Sequence, residues 1–310
     1  MKLFFLFFVL STPTVWAQDF AALFRPGPSQ KDFSFEETFY APAAVNGSDR
    51  ELQQRQWRVR SGAPIWNNGK QEFTVGVEAG DLVLHHPSEA LHPYRTVQGS
   101  LGWRYYGQEN KVRGVSLSYG SASDRPFARP ANDTQSANYL HQFNAKWWGV
   151  VNYSNNRSFA NGVPIPGFFY VSKMSREETL LLGLPFVFWR KRYQSGLDLQ
   201  ATTFLPWNYS LQAGYFWGPF TGFTFGFEHR PQQFFREERE KTRERFFYRE
   251  QKLTLAMNGA IIPRVLQWRL EVGRVFNRSF FEAENFNDEK SFDVPVEDTN
   301  FVGAQITSNF

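Results

Sequence analysis

The chain has 310 residues, among them 34 Phe, 12 Tyr and 10 Trp, and no cysteine. Only 21% is charged, the formal net charge is +4 and the mean hydropathy is −0.47. This excludes disulfides and cysteine-ligated metals, argues against disorder, which is poor in aromatics, and offers no charge excess for nucleic acid.

In chain order, Lys2 gives a positive start and Leu3 to Leu10 an apolar core. Ser11 to Thr14 follow, then Val15-Trp16-Ala17 with small residues at −3 and −1. This is the layout of a cleaved secretory signal. Cleavage is expected after Ala17, making Gln18 the first mature residue, residues 1–17 the signal and 18–310 a single domain. No cysteine follows the apolar core, so a lipoprotein anchor is excluded. The rest has no apolar run of about 18 residues, so no helix is expected to cross a membrane.

Period-two patterning organises the remainder. Val97, Gly99, Leu101, Trp103 and Tyr105 alternate with Gln98, Ser100, Gly102 and Arg104; Phe143, Ala145 and Trp147 with Gln142, Asn144 and Lys146. Leu197, Leu199, Ala201 and Thr203 alternate with Asp198, Gln200 and Thr202. Phe223, Phe225 and Phe227 alternate with Thr224, Gly226 and Glu228, and Leu266, Trp268, Leu270 and Val272 with Gln267, Arg269 and Glu271. One apolar face per strand suits either a soluble sandwich or a membrane barrel. Three features favour the barrel. The runs match the roughly 9–11 residues of a tilted membrane strand. Aromatics such as Trp103, Tyr119, Trp147, Tyr153, Trp189, Trp217 and Trp268 gather near strand ends, as interfacial girdles do. The opposite face carries Gly, Ser, Thr, Asn, Gln and charges.

The chain ends in Asn300 to Phe310, with Val302, Ala304, Ile306 and the final Phe310 on one face. This resembles the terminal strand of bacterial outer-membrane β-barrels. The resemblance is to the architectural class and spans the mature chain. It implies an antiparallel transmembrane β-barrel, outer-membrane location, and a final aromatic read by the barrel-assembly machinery.

Counting back from Phe310 at the periplasmic side gives fourteen strands: 33–40, 51–66, 70–84, 95–106, 111–120, 138–153, 165–173, 177–190, 194–205, 208–217, 220–230, 247–258, 264–276 and 299–310. Twelve is the alternative, and the number must be even. Short periplasmic turns at 67–69, 107–110, 191–193, 218–219 and 259–263 alternate with long outer connections at 41–50, 85–94, 121–137, 231–246 and 277–298. Three connections fit badly: 154–164 is long for a turn, and 174–176 and 206–207 are short for outer loops.

By this phase the lumen receives Arg58, Arg60, Arg104, Lys146, Lys252 and Arg269, and against them Glu72, Glu78, Asp198, Glu228, Glu250 and Glu271. These are the candidate pore-lining residues. One reading is a water-filled pore of balanced charge; the other is an ion-paired network that fills a narrow barrel, since buried charges must be paired or hydrated. The mixed-sign stretch from Arg236 to Lys252 reads as a solvated outer hairpin or as a contact for lipopolysaccharide phosphates. The acidic loop 277–298 lacks calcium-loop spacing and reads as a solvated loop or one that folds inward. His85, His86, His92, His141 and His229 form no recognised metal or Ser–His pattern, and no nucleophile elbow or phosphate loop appears. The expectation is a passive channel for small solutes, with membrane lipids, lipopolysaccharide and the assembly machinery as partners and with no cofactor, metal or catalytic residue. A non-conducting structural or adhesive barrel is the second reading and a barrel enzyme the third.

Overall fold

Alternating apolar and polar side chains cannot bury one face of a long strand without a neighbour on each edge, and a closed ring supplies both. The computed structural model describes residues 31–309, apart from 47, 88–90, 108–110, 158–159, 176, 205–207, 219, 230, 240, 264 and 289. The expected cleavage site Ala17-Gln18 and the terminal Phe310 lie outside the described residues.

Among the described residues, sixteen antiparallel strands close a barrel. They are β1 Asp32–Tyr40, β2 Glu51–Asn67, β3 Gln71–His85, β4 Tyr94–Tyr106, β5 Val112–Ser123, β6 Asp133–Gln142, β7 Trp147–Ser154 and β8 Ile165–Met174. They continue as β9 Glu178–Leu184, β10 Phe186–Arg192, β11 Leu197–Phe204, β12 Asn208–Phe216, β13 Gly222–His229, β14 Arg245–Ile262, β15 Leu266–Ala283 and β16 Thr299–Asn309. Each pairs with the next, and β1 closes the ring on β16 from Asp32↔Asn309 to Tyr40↔Phe301. Three short strands, Ala43–Ala44, Gln232–Phe234 and Phe292–Val296, extend the sheet among the long connections.

The expected fourteen strands, and the alternative twelve, are thus corrected to sixteen, because two runs read as single strands each contain a reversal. Between β6 and β7 the chain turns on Asn144, whose Oδ1 accepts the backbone N–H groups of Lys146 (2.9 Å) and Trp147 (3.0 Å). Alternation runs straight through this turn, so periodicity hides it. Between β9 and β10 it turns on Leu184-Pro185, joined by a cis peptide bond, with apolar residues on both sides and no polar turn signal. The two reversals flip the intervening segment. Connection 155–164 then falls at the end of the barrel that carries the long connections, and 175–177 at the short-turn end, so two of the three ill-fitting connections become regular.

The outward face is apolar and exposed: Val77 is 64% exposed, Leu101 60% and Leu270 55%, with Leu255 and Phe225 close behind. A soluble sandwich would bury these side chains. The inward face is polar and largely buried. Register shifts mark bulges between Pro64 and Trp66 in β2, opposite Leu180-Leu181 where β8 pairs with β9, between Ala260 and Ile262 in β14, and in β15, where Asn277 takes φ 52° and the register to β14 shifts. The extra residue re-aims the chain, so that Gln267, Arg269 and Glu271 below it and Arg278, Phe280 and Glu282 above it all face inward.

Wall height is uneven. Strands β14 and β15 have 18 residues each, β9 and β10 only seven. On the tall side, inward Leu52, Leu82, Leu84, Tyr94, Phe246, Tyr248 and Phe280 form a buried cluster with Ala43, Val45, Leu91, Phe234 and Val296 from the connections. The segment after β13 crosses the mouth: Gln232–Phe234 pairs with β14, and Phe235 bridges Ser123 at the end of β5 on the far side.

Candidate functional site: the barrel interior

The candidate site is the inward face, and alternation puts its charges at cross-strand neighbours. On β2 and β3, Arg60 Nε lies 2.8 Å from Glu78 Oε2. Arg58 reaches both Glu78 (3.5 Å) and Glu36 on β1 (3.3 Å). Nearer the short-turn end, fully buried Glu72 meets Arg104 at 3.8 Å and accepts a hydrogen bond from Asn67 Nδ2 at 3.2 Å. Asp198 on β11 is gripped by two guanidinium groups of β10: Arg190 Nε donates to Oδ1 at 3.0 Å, and Arg192 donates to Oδ2 from Nε (3.0 Å) and Nη2 (2.8 Å). On β14 and β15, Lys252 Nζ is 3.3 Å from Glu250, and Arg269 Nε is 3.1 Å from Glu271 while its Nη1 donates to Thr224 Oγ1 at 2.9 Å. Glu228 sits across the register from Lys252.

Arg58, Arg60, Glu72, Glu78, Arg104, Asp198, Glu228, Lys252, Arg269 and Glu271 therefore all lie on the inward face. Lys146 does not: it is exposed in the 143–146 turn, because the run that carried its phase is two strands. The sequence reading also missed five inward charges, the fifth being Glu282, which like Arg278 lies beyond the β15 bulge. Glu36 belonged to a strand read as brief and ambiguous. Arg190 and Arg192 lie after the hidden reversal at Leu184-Pro185, which moves the inward phase from odd to even numbers. Arg278 lies beyond the bulge, where phase changes again.

The mixed-charge stretch from Arg236 folds over the mouth rather than standing in solvent. Arg236 pairs with Glu282 (2.8 Å), Glu237 with Arg125 (2.8 Å), and Arg239 Nη1 donates to Asn132 Oδ1 (2.5 Å). Arg245 Nη2 donates to the carbonyl of Asn155 (2.5 Å). Connection 277–298 is not a free loop either: it contains the end of β15 and the strand Phe292–Val296. Beneath this cover lies a pocket lined by Glu36, Gln56, Glu228, Gln232, Glu250, Lys252 and Glu271. Its upper wall is a buried network. Tyr40 OH donates to Glu250 Oε1 (3.2 Å), Tyr248 OH donates to Glu250 Oε2, Gln54 Nε2 donates to Tyr248 OH (2.9 Å), and Arg278 Nη2 donates to Gln54 Oε1 (2.6 Å).

The interior is not polar all round. Between β5 and β10, inward Val112, Leu140, Trp148, Val150, Phe169, Val171, Leu181 and Phe186 form a second buried apolar cluster, with Tyr106, Phe188 and Phe204 against it. Sequence reasoning named none of these as a group. Among the histidines, His141 lies on the outer face between Tyr139 and Phe143, His229 Nδ1 is 3.1 Å from the Glu250 carbonyl, and His86 Nε2 is 3.2 Å from Ser48 Oγ in the outer connections.

A closed antiparallel ring, apolar outside and polar inside, satisfies every wall hydrogen bond without water and presents hydrocarbon to hydrocarbon. These features define a transmembrane β-barrel of the bacterial outer-membrane type. Solved structures with a similar arrangement include an outer-membrane channel from Pseudomonas putida F1 (10% identity, 92% of this chain and 97% of that one, TM-score 0.38). Others are the Pseudomonas putida toluene transporter TodX (8%, 94% and 93%, 0.39) and Acinetobacter baumannii OccAB4 (8%, 92% and 99%, 0.29). Likenesses this distant carry no argument about what this chain transports. No protein-family model matches the chain, and no curated protein matches it in sequence.

Proposed function

We propose that this barrel is a passive channel for small solutes in the outer membrane of a Gram-negative-type bacterium, exported by a signal cleaved after Ala17. One observation carries the reading. At mid-height the inward side chains are small or polar and only half buried, among them Thr96, Gln98, Ser100, Ser116, Ser118, Gln200, Gln212, Glu228 and Glu271. A filled core would exclude water from such groups; their partial exposure fits a hydrated lumen. Arg58, Arg60, Glu78, Lys252, Arg269 and Glu271 then act as pore-lining charges, and their mutual pairing predicts weak ion selectivity.

The cover over the mouth favours a second reading, a non-conducting barrel with a structural role. Conductance of the purified protein in planar bilayers separates the two: discrete openings support the channel, and silence at all voltages supports the structural barrel. Glu228→Lys reverses one half-buried charge in the pocket, where low-dielectric walls focus the field. It should shift the reversal potential toward anions without loss of the folded barrel. An unchanged reversal potential in a conducting variant would remove Glu228 from the pore lining.

A further inference from the structure

The charges of the stretch from Arg236 to Arg245 turn inward and pair across the mouth. The outward face carries a different set. Arg274 on β15, Arg55 on β2 and Arg95 on β4 point away from the lumen, since their chain neighbours Val275, Gln54 and Tyr94 are buried inside it. The three lie within six consecutive strands of the tall side. Arg274 stands eight residues up β15 from Leu266, Arg55 twelve up β2 from Asn67 and Arg95 eleven up β4 from Tyr106. At a strand tilt of about 40° these steps rise about 20–30 Å from the short-turn end. A roughly 25 Å apolar band ends at that height, and the side chains beneath belong to it: Val272 and Leu270 under Arg274, Trp57 and Val59 under Arg55, Val97 and Leu101 under Arg95. The arginines therefore stand at the level of the outer headgroups. Among the described residues, the outward faces of β7 to β13 carry no arginine or lysine at that height.

Each guanidinium has a carboxylate against it. Arg55 Nε donates to Glu37 Oε1 at 2.6 Å, and Asp81 and Asp298 lie 3.6 Å from Arg95 and Arg274. In every pair the cation is the outer member: 52% exposed against 19% for Arg55 and Glu37, 62% against 22% for Arg95 and Asp81, 63% against 45% for Arg274 and Asp298. The carboxylates hold the guanidinium groups along the wall, and Arg55 also lies over the Phe39 ring. A planar fork of five N–H donors suits a phosphate, which it can grip through two parallel hydrogen bonds. Exposed ion pairs are too weak to compete with that. We propose that this arc binds a phosphorylated glycolipid of the outer leaflet, the arginines taking its headgroup phosphates and the apolar rows beneath them its acyl chains. The site needs the barrel and its placement in the membrane, and is independent of whether the lumen conducts.

The test compares the wild type, Arg55→Gln, Arg95→Gln and Arg274→Gln singly and combined, and a control with Arg113→Gln and Lys146→Gln, two exposed cations near the short-turn end. Each is reconstituted in phosphatidylcholine vesicles that carry diphosphoryl lipid A, the same lipid A stripped of phosphate, or phosphatidylglycerol at equal surface charge. After extraction in mild detergent the folded, heat-modifiable form is isolated, and its bound lipid is counted by native mass spectrometry. Wild type and control should retain diphosphoryl lipid A and the combined variant about tenfold less, each single substitution losing part of it. The other two lipids should wash away from all of them. Undiminished retention by the combined variant, or by the single ones where the combined one does not fold, would overturn the site. So would retention of the dephosphorylated lipid, which would assign the binding to acyl chains alone. Equal retention of phosphatidylglycerol, or an equal loss in the control, would also overturn it, leaving only a general attraction of cations for an anionic surface.

Discussion

Asp198 holds two cations by itself, so its removal is informative. Its carboxylate accepts from Arg190 and Arg192, and Asp198→Asn would take from Arg190, 18% exposed, the negative charge it shares with Arg192. Removing one partner of a buried pair costs about 3–5 kcal/mol. Arg192 is 42% exposed and rehydrates, so the expected loss is about 2–3 kcal/mol in urea unfolding. Facing can be read the same way. Phe225 is 51% exposed on the lipid side, and Phe225→Arg should cost about 2–4 kcal/mol, because the guanidinium meets neither water nor partner. Gln212→Arg, on the half-buried inward face, should cost clearly less. Equal losses at both would mean two buried faces and would contradict the barrel. Thr224 is a poor inward control because it accepts from Arg269 and is itself buried.

At the scale of elements, the sequence makes strands legible and reversals much less so. Period two marks nearly every wall segment, because the lipid and the lumen impose opposite polarity on successive side chains, though it begins five residues late at β6 and stops four short on β14 and seven short on β15. It is blind to a tight turn that preserves the alternation, as at Asn144, and to one made wholly of apolar residues, as at Leu184-Pro185. Two of the three ill-fitting loop lengths in the fourteen-strand reading trace to these turns. The inward charges were legible where phase was unbroken, Glu36 excepted, and were lost beyond the Leu184-Pro185 reversal and the β15 bulge: Arg190, Arg192, Arg278 and Glu282. The bulge itself is testable. Asn277 occupies positive φ, which glycine and asparagine tolerate and β-branched residues do not. Asn277→Gly should be close to neutral, while Asn277→Val should lose about 1–3 kcal/mol and weaken the Arg278–Gln54 contact. Equal stability of the two variants, measured by urea unfolding, would show that the bulge is not what aims Arg278 inward.

For the whole molecule, a wall in which each strand bonds two neighbours predicts slow unfolding. The protein should migrate anomalously on gels unless boiled, and fractionation should recover it with the outer membrane. Recovery as a soluble periplasmic protein would end the barrel reading. Deleting Phe310 should lower assembled yield while leaving the molecules that do fold with wild-type heat-modifiability. An undiminished yield would strip the terminal aromatic of its role in assembly. The ring also has a consequence in time. Its seam joins Asp32–Tyr40 to Thr299–Asn309 over nine paired positions, so the first strand made finds its second partner only when the last one arrives. Until then two long edges stand open, each a template for unwanted pairing, and the closing contact carries nearly the largest loop-closure cost the chain allows. Closure is therefore a single late event, and any cellular factor that shields β1 before β16 is delivered would act on yield rather than on the stability of the finished barrel.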